Sequence, residues 1–251
     1  MERQYFELTW TWLRQRQVAI LLVLLIGWYS LATLPYLGDF PLLEWAQMGI
    51  AAPAYKLATQ GVYGNDLFTG FYRTEAYNYE YMPLYPLLVA LSFKILGLGV
   101  WQARLVSVLC GLATLVLTFW LGRQLYDSTV GLVAAAALGC LRLSLDPLAS
   151  GIPLLDIARV IRYDILVPVW VLASCICFSW AYTHNSRRGY LGAGLLAGLA
   201  TLSHIYGAFI LPVLAIALLW QQGRRALRTT PLFLLAAGWL LAILPWAIYV
   251  L

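Results

Sequence analysis

The sequence predicts an all-α polytopic membrane protein with about seven transmembrane helices, and three observations support this prediction. The 251-residue chain is 62% hydrophobic and only 11% charged, whereas soluble domains carry about 25% charged residues. Its mean hydropathy is +0.78. Long apolar segments alternate with small groups of arginine, as in membrane helices joined by cytoplasmic loops. The net charge of +5 therefore indicates membrane orientation rather than nucleic-acid binding.

Residues 18–37 form the first apolar segment and are predicted to be the first transmembrane helix. They number about the 20 that cross a hydrocarbon core, more than the roughly 7–15 of a signal-peptide core. Arg3, Arg14 and Arg16 precede the segment. Because cytoplasmic loops are enriched in Lys and Arg, the N-terminus is predicted to be cytoplasmic.

The longest polar stretch of the chain follows, at residues 38–82. It holds five of the eleven acidic residues, namely Asp39, Glu44, Asp66, Glu75 and Glu80. It is also rich in tyrosine. A loop of this length is usually either functional or disordered, and disordered segments are poor in aromatic residues. We therefore expect this stretch to be folded and to carry the chemistry.

The next apolar segment, residues 83–99, decides the topology of everything after it. If it crossed the membrane, five arginines would lie outside, against the positive-inside rule: Arg187, Arg188, Arg224, Arg225 and Arg228. We therefore expect a juxtamembrane helix in the outer interface, so that residues 38–99 form a helical cap. The later spans are then predicted at residues 101–121, 130–149, 164–182, 190–203, 207–220 and 231–251.

This topology gathers ionisable residues near the outer face of the membrane. They are Asp39, Glu44, Arg104, Asp156, Arg159, Arg162, Asp164 and His204. An ionisable residue at membrane depth is costly and marks a functional site by default. Several on one side make a site at the outer face more probable than any one of them alone.

Arg159, Arg162 and Asp164 close the second outer loop. Two arginines three residues apart share one face of a helical turn, and their forked donors suit a phosphate or pyrophosphate at the interface. The alternative is a structural ion pair at a helix start, with Asp164 as the N-terminal cap. The segment alone leaves both interpretations open.

Asp39 and Glu44 directly follow the first span. A carboxylate just outside the bilayer can act as general base on an acceptor hydroxyl or amine, and the neighbouring aromatic rings suit stacking on a sugar. The alternative, favoured by these residues alone, is a solvated acidic loop beside an aromatic interface belt. His204 is likewise either a structural residue or a contact for an anionic head group.

Other kinds of site have no signal in the sequence. It contains no Gly-rich phosphate loop, no nucleophile motif and no metal-ligand cluster, so no cofactor is predicted and a divalent metal is left open. The four cysteines lie in apolar segments and are interpreted as small hydrophobic residues. Without a nucleotide-binding motif, the donor of any transferred group is expected to be borne by a lipid.

Four passages, in this order, carry a resemblance to a known family. They are Gly61-Val-Tyr-Gly-Asn-Asp-Leu-Phe68 with Met82-Pro-Leu-Tyr-Pro86, Gln102-Ala-Arg-Leu-Val-Ser107, Ala158-Arg-Val-Ile-Arg-Tyr-Asp164, and Gly198-Leu-Ala-Thr-Leu-Ser-His204. Together they make the chain resemble the polyprenyl-phosphate-sugar-dependent glycosyltransferases of the GT-C superfamily. The similar branch contains the protein O-mannosyltransferases and the lipid A aminoarabinose transferases (glycosyltransferase family 39).

The resemblance implies a single GT-C-like module over residues 1–251 of a multi-pass inner-membrane protein, with its active site facing the periplasm or exterior. It implies transfer of a sugar from a polyprenyl-phosphate donor to a lipid, glycan or protein acceptor, in one inverting displacement. An acidic residue would be the base, with Glu44 preferred over Asp39, and Asp164 the second acidic residue of the site. The contacts to lipid phosphate and sugar would be Arg104, Arg159, Arg162, His204 and Tyr85.

Two departures from the family pattern leave alternatives. The family's Asp-Glu pair after the first span is Leu43-Glu44 here, and its Lys is His204, which would bind phosphate more weakly and in a pH-dependent way. A non-catalytic, truncated relative is therefore one alternative, since the chain stops in an apolar segment at Leu251. A transporter or flippase of lipid-linked sugars is another, although polar residues on one face and the lack of a repeat favour the enzyme.

Overall fold

The computed structural model describes residues 2–145, 149–223 and 230–251, with side chains from residue 16 onward. These residues contain helices and no strand, which confirms the all-α prediction. The ten α-helices of the described ranges are α1 (Glu2–Thr33), α2 (Trp45–Gln60), α3 (Leu84–Leu96), α4 (Val100–Leu125), α5 (Ser128–Cys140), α6 (Pro153–Ala158), α7 (Leu166–His184), α8 (Arg187–Ser203), α9 (Ile210–Gln222) and α10 (Thr230–Val250). Short 3₁₀ turns cover Asp66–Phe68, Tyr163–Ile165 and Ile205–Phe209.

Five helical stretches among the described residues are long and apolar enough to cross a membrane, which confirms the polytopic class. They are Arg16–Thr33, Val100–Leu125, Tyr163–His184, Ile205–Gln222 and Thr230–Val250. The other two predicted spans correspond to α5 and α8, which have 13 and 17 residues. The total of seven spans therefore stays a prediction.

α5 ends nine residues before the predicted end of its span, at Cys140 rather than 149. The described residues show the reason, because the backbone N–H groups of Leu143 and Ser144 both donate to the carbonyl of Gly151. N–H groups that are bonded in this way cannot also continue the helical hydrogen-bond ladder. The apolar pattern alone does not reveal this competition.

Contacts at one end of the bundle show that α4 and α7 both begin where the cap lies. Arg104, in the second turn of α4, donates to the carbonyl of Leu37. The ring of Tyr163, just before α7, lies 5.8 Å from the ring of Tyr81 in the cap. We refer to this end of the bundle as the cap end.

α8 and α10 finish at the cap end. His204, which follows α8, stacks on Tyr163 with 5.0 Å between ring centroids. In the last turn of α10, the hydroxyl of Tyr249 donates to the backbone carbonyl of Tyr63 in the cap, 3.2 Å away. The helices therefore alternate in direction in the way that the predicted topology requires.

The stretch predicted to be a folded cap is folded. α2 ends at Gly61, which adopts the left-handed conformation with φ 73°, and the chain then returns through paired turns. The backbone N–H of Asn65 donates to Thr74 at 2.7 Å, and that of Asn78 donates to Tyr63 at 2.8 Å. α3 follows with 13 residues, about 20 Å of helix, which is the length of an interfacial helix rather than of a span.

Small residues bring α8 and α10 into close contact. A β-carbon added at Gly194 would lie 2.2 Å from the carbonyl oxygen of Leu235, and one at Gly198 would lie 2.4 Å from the side chain of Ala242. The spacing Gly-x-x-x-Gly is the arrangement that lets membrane helices approach at backbone distance. This packing fixes the end of α8, and with it the position of His204.

The membrane orientation stays a prediction. The side chains of Arg3 and Arg14, and the residues Arg224, Arg225 and Arg228, lie outside the described part of the structure. Arg187 and Arg188 are exposed at the start of α8, at the end of the bundle opposite the cap, where the topology expects cytoplasmic arginines.

Candidate functional site

Four of the eight predicted site residues belong to two groups at the cap end, and the other four, Asp39, Glu44, Arg159 and Tyr85, lie beside them. One group, which we call the Gln47 junction, consists of Gln47, Arg104 and the backbone groups that they bind. The other, the Asp164 cluster, consists of Arg162, Tyr163, Asp164 and His204 together with Tyr81 and Tyr206. The chain from Arg159 to Asp164 connects the two groups.

Arg104 is completely buried, with 0% of its surface exposed. Its Nη1 donates to the carbonyl of Leu37 at 3.0 Å and its Nη2 to that of Pro41 at 2.6 Å. Its Nε and Nη2 both reach Oε1 of Gln47, at 3.3 and 3.2 Å. The sequence suggested that Arg104 contacts the lipid phosphate, whereas in the structure its guanidinium holds the first residues of the cap against α4.

Gln47 lies in the first turn of α2 and is 2% exposed. Besides Arg104, its Oε1 accepts a hydrogen bond from the backbone N–H of Ile161 at 3.2 Å. Its Nε2 donates to the carbonyl of Leu42 at 3.4 Å. Sequence reasoning missed this residue, because a single glutamine in a polar stretch has no distinctive pattern.

Arg159 lies next to the junction and is only partly buried. Its Nη2 donates to the carbonyls of Pro35 and Phe40 at 3.2 and 3.4 Å, and its guanidinium lies 5.3 Å from the ring centroid of Phe40. Among the described residues, the ion pairs involve neither Arg159 nor Arg104. Two cationic groups without a carboxylate partner create a positive potential that attracts an anion.

Asp39 and Glu44 are exposed on the segment that Arg104 holds. Glu44 is the residue before α2 and has an extended backbone, and its side chain makes no capping hydrogen bond. Among the described residues, the carboxylates of Asp39 and Glu44 make no hydrogen bond and no ion pair. Both carboxylates are therefore accessible to an acceptor.

Asp164 is the centre of the second group. Its Oδ2 accepts from Nε of Arg162 at 3.1 Å and also from Nη2 of Arg162. Its Oδ1 lies 3.7 Å from Nε2 of His204. The sequence predicted that Arg159 and Arg162 share one face of a helical turn, and in the structure they do not. α6 ends at Ala158, and the backbone of Arg162 is extended, with φ −139°.

The proton on His204 can be located from its hydrogen bonds. Nδ1 accepts a hydrogen bond from the backbone N–H of Tyr206 at 3.0 Å, so in the neutral ring the proton is on Nε2. Nε2 is the nitrogen that faces Asp164. The imidazole thus presents a donor to the carboxylate, and on protonation it would give up the bond from Tyr206.

Four rings form a continuous row in the Asp164 cluster. Centroid separations are 5.8 Å for Tyr81 and Tyr163, 5.0 Å for Tyr163 and His204, and 4.3 Å for His204 and Tyr206. Glu80 lies beside this row, and burial raises the pKa of its carboxyl. Burial likewise raises the pKa of the Tyr81 hydroxyl, and the charge of Glu80 adds to that shift. Sequence reasoning counted Glu80 among the acidic residues without giving it a role.

Tyr85 is buried beneath this row and does not line an open space. Its hydroxyl lies 2.6 Å from Oγ of Ser107 in α4. The sequence suggested a substrate contact. In the structure Tyr85 is fully buried and joins α3 to α4 through Ser107.

An apolar cavity of about 430 Å³ lies between the cap and the start of α4. Its lining includes Leu43, which precedes Glu44, and Ile161, which lies between the two arginines of the second loop. A second apolar cavity, of about 380 Å³, lies between α3, α4 and α7. Among the described residues, no group of three or more His, Cys, Asp or Glu side chains could hold a metal ion.

Comparison with known proteins gave one match. A family model described as dolichyl-phosphate-mannose-protein mannosyltransferase matches residues 81–249, about two thirds of the chain. The searches of curated proteins and of solved structures returned no match. The matched range includes the whole Asp164 cluster but begins after Asp39, Glu44 and Gln47.

Proposed function

Because the chain belongs to the dolichyl-phosphate-mannose-protein mannosyltransferase family and is a membrane glycosyltransferase of the GT-C type, we propose that it transfers a sugar from a polyprenyl-phosphate donor. The acceptor is a lipid, glycan or protein on the side of the membrane that carries the cap. One observation supports this most strongly. Cationic side chains, accessible carboxylates and an apolar cavity are found together at the cap end, as a lipid-borne anionic donor and an acceptor require.

In this proposal the phosphate of the donor lies near Arg159, Arg162 and His204. Arg159 has no carboxylate partner among the described residues, and Arg162 is about half exposed, at 47% of its side-chain surface. Guanidinium groups bind phosphate with paired hydrogen bonds. The cavity lined by Leu43 and Ile161 would receive the first isoprene units of the carrier, because it is apolar and opens beside these residues.

The base in this proposal is Glu44, with Asp39 as the alternative. Either carboxylate takes the proton from an acceptor hydroxyl or amine as the acceptor atom bonds to the anomeric carbon. The bond from that carbon to the phosphate oxygen breaks, and the electron pair leaves with the polyprenyl phosphate. Asp164 is the second acidic residue of the site, where it orients Arg162 and His204 rather than accepting the proton, since both its oxygens already face donors.

Arg104 and Tyr85 act from inside the protein. Arg104 fixes the backbone on which Asp39 and Glu44 lie, and Tyr85 joins α3 to the start of α4 through Ser107. Their substitution is therefore expected to change the shape of the site and not only the affinity for phosphate.

The test is sugar transfer by the full chain in lipid nanodiscs, with a synthetic polyprenyl-phosphate sugar and a set of acceptors. Wild type is compared with Glu44→Gln, Asp39→Asn and a control, Asp66→Asn, whose carboxylate is exposed in the cap and pairs with Lys56. We expect Glu44→Gln to lose about 10²-fold or more in kcat with donor binding retained, and the control to stay active.

Two outcomes would contradict this proposal. Full activity in Glu44→Gln with loss in Asp39→Asn would move the base to Asp39. Donor binding by the wild type without release of polyprenyl phosphate, for any acceptor, would overturn the enzymatic proposal and favour a transporter or a non-catalytic relative.

A further inference from the structure

Gln47 connects the segments that carry the proposed catalytic groups. Its own backbone N–H donates to the carbonyl of Glu44 at 3.0 Å, and its Nε2 donates to Leu42. Its Oε1 accepts from Ile161, which lies two residues after Arg159 and just before Arg162. One buried side chain thus joins the acidic segment of the cap to the basic segment of the second loop.

The bonding pattern allows only one orientation of the Gln47 amide. Three donors converge on Oε1, two from Arg104 and one from Ile161, and a carbonyl lies opposite Nε2. An amide nitrogen cannot accept hydrogen bonds, so a flipped amide would lose all four interactions. A buried polar network that is fully satisfied specifies one arrangement of the chain segments around it.

Arg104 makes this arrangement depend on Gln47. The guanidinium is buried without a carboxylate partner among the described residues. The Gln47 oxygen is therefore its only side-chain acceptor there, and the remaining acceptors are the carbonyls of Leu37 and Pro41. If that oxygen is removed, the guanidinium must bond to another acceptor. We expect the acidic segment of the cap and the basic segment of the second loop to shift as a result.

We propose that Gln47 is a positioning residue that sets the separation between the carboxylates at 39–44 and the phosphate-binding residues at 159–164. This inference rests on the proposed function. Its physical basis is that misplacement of reacting groups by about 1 Å can cost 10²-fold in rate without abolishing binding. Gln47 itself is 2% exposed, so in this proposal it acts through the segments that it joins and not by contact with the donor or the acceptor.

The variants that test this inference are Gln47→Met and Gln47→Glu. Methionine keeps the size and removes all four hydrogen bonds. Glutamate keeps an acceptor for Arg104 and Ile161 and loses only the bond to Leu42. The control is Gln102→Met, because Gln102 lies two residues before Arg104, in the first turn of α4, and its one side-chain hydrogen bond among the described residues goes to the carbonyl of Leu96.

Two readouts are needed. The first is kcat and KM for the polyprenyl-phosphate donor in nanodiscs, where Gln47→Met should lose about 10–100-fold in kcat with KM changed by about threefold or less. Gln47→Glu should recover most of that loss, and Gln102→Met should resemble the wild type. The second readout is hydrogen exchange of the peptide that contains Ile161, which should speed up in Gln47→Met and not in Gln102→Met.

The outcomes separate this inference from the proposed function. Wild-type kcat in Gln47→Met, or equal losses in Gln47→Met and Gln47→Glu, would overturn the positioning role. Unchanged exchange at Ile161 in Gln47→Met would also overturn it, because the hydrogen bond would then not hold the second loop. If the wild type transfers no sugar with any donor, the proposed function fails, and the exchange measurement still decides whether Gln47 joins the two segments.

Discussion

The Gln47 junction and the Asp164 cluster both contain an arginine, and the two arginines have opposite surroundings. Arg104 is fully buried and bonded to carbonyl and amide oxygens, whereas Arg162 is half exposed and paired with Asp164. A buried polar network costs much to break and holds one shape, while an exposed ion pair exchanges its partner readily. The comparison teaches that residue type alone does not distinguish an arginine that joins buried chain segments from one that is accessible to a ligand, and that burial and partner type do.

The strongest test of this difference is the stability of Arg104→Met. Methionine leaves the carbonyl oxygens of Leu37 and Pro41 without this donor, and Oε1 of Gln47 keeps only the bond from Ile161. Each buried unpaired group costs about 1–3 kcal/mol. We expect the free energy of unfolding to fall by about 3 kcal/mol or more. Thermal unfolding in detergent measures this effect. Arg104→Lys should be nearly as damaging, since an ammonium cannot reproduce the guanidinium geometry, and a stable Arg104→Met protein would show that the two groups do not differ.

The complementary substitution is Arg162→Gln in the exposed group. Because an exposed ion pair contributes only about 0–1 kcal/mol, thermal stability should change little. Affinity for the donor should fall about tenfold or more, since a charge-assisted hydrogen bond to phosphate is lost. Titration of the donor by microscale thermophoresis measures this, with Arg123→Gln, at the far end of α4, as control. Unchanged donor affinity would remove Arg162 from the phosphate site.

A smaller effect is expected from His204→Gln. The glutamine cannot become positively charged, so any rise in donor affinity at low pH that depends on a positive charge at this position should disappear. The change at neutral pH should be about threefold or less, because the neutral ring contributes one donor. Donor affinity measured from pH 5.5 to 8 tests this. A pH dependence identical to that of the wild type would exclude His204 as its source.

The smallest effect concerns Glu80→Gln. Burial raises the pKa of Glu80 in the folded protein, so the folded state disfavours its charged form. The stabilising effect of this group is present at pH values below its unfolded pKa and is lost as the pH rises through the folded pKa. The variant should therefore melt slightly above the wild type at pH 7, with the difference vanishing at about pH 4. A lower melting temperature at pH 7 would indicate an attractive contact for the Glu80 carboxylate.

The sequence was sufficient for the helical class, and its prediction of a site at the cap end stays a prediction. Hydropathy identified the long helices because a helix that crosses a membrane consists almost entirely of apolar residues. The loop after the first span was recognisable from its tyrosines and carboxylates. α5 was predicted too long, because its end depends on the Gly151 carbonyl eight residues beyond Leu143. Arg159 and Arg162 were placed on one helical face, whereas the chain leaves the helix at Ala158.

The division of roles that we propose for the site could not be predicted from the sequence. Gln47 bonds to residues 57 and 114 positions further along the chain, and no local pattern encodes such separations. Arg104 and Arg162 are both arginines within sequence motifs, and the sequence does not show that packing buries Arg104 and leaves Arg162 exposed. The aromatic row is equally non-local, since Tyr81, Tyr163 and Tyr206 come from three different parts of the chain.

The contact between Tyr249 and Tyr63 has a consequence for biogenesis. The two tyrosines are 186 residues apart, and the rings of Tyr63, Tyr77 and Trp246 surround that of Tyr249. At a synthesis rate of about 5–20 residues per second, about 10–40 s separate their emergence from the ribosome. The cap is therefore translated long before α10, the helix that packs against it. During that interval a chaperone or the insertion machinery would meet the cap with its aromatic surface uncovered.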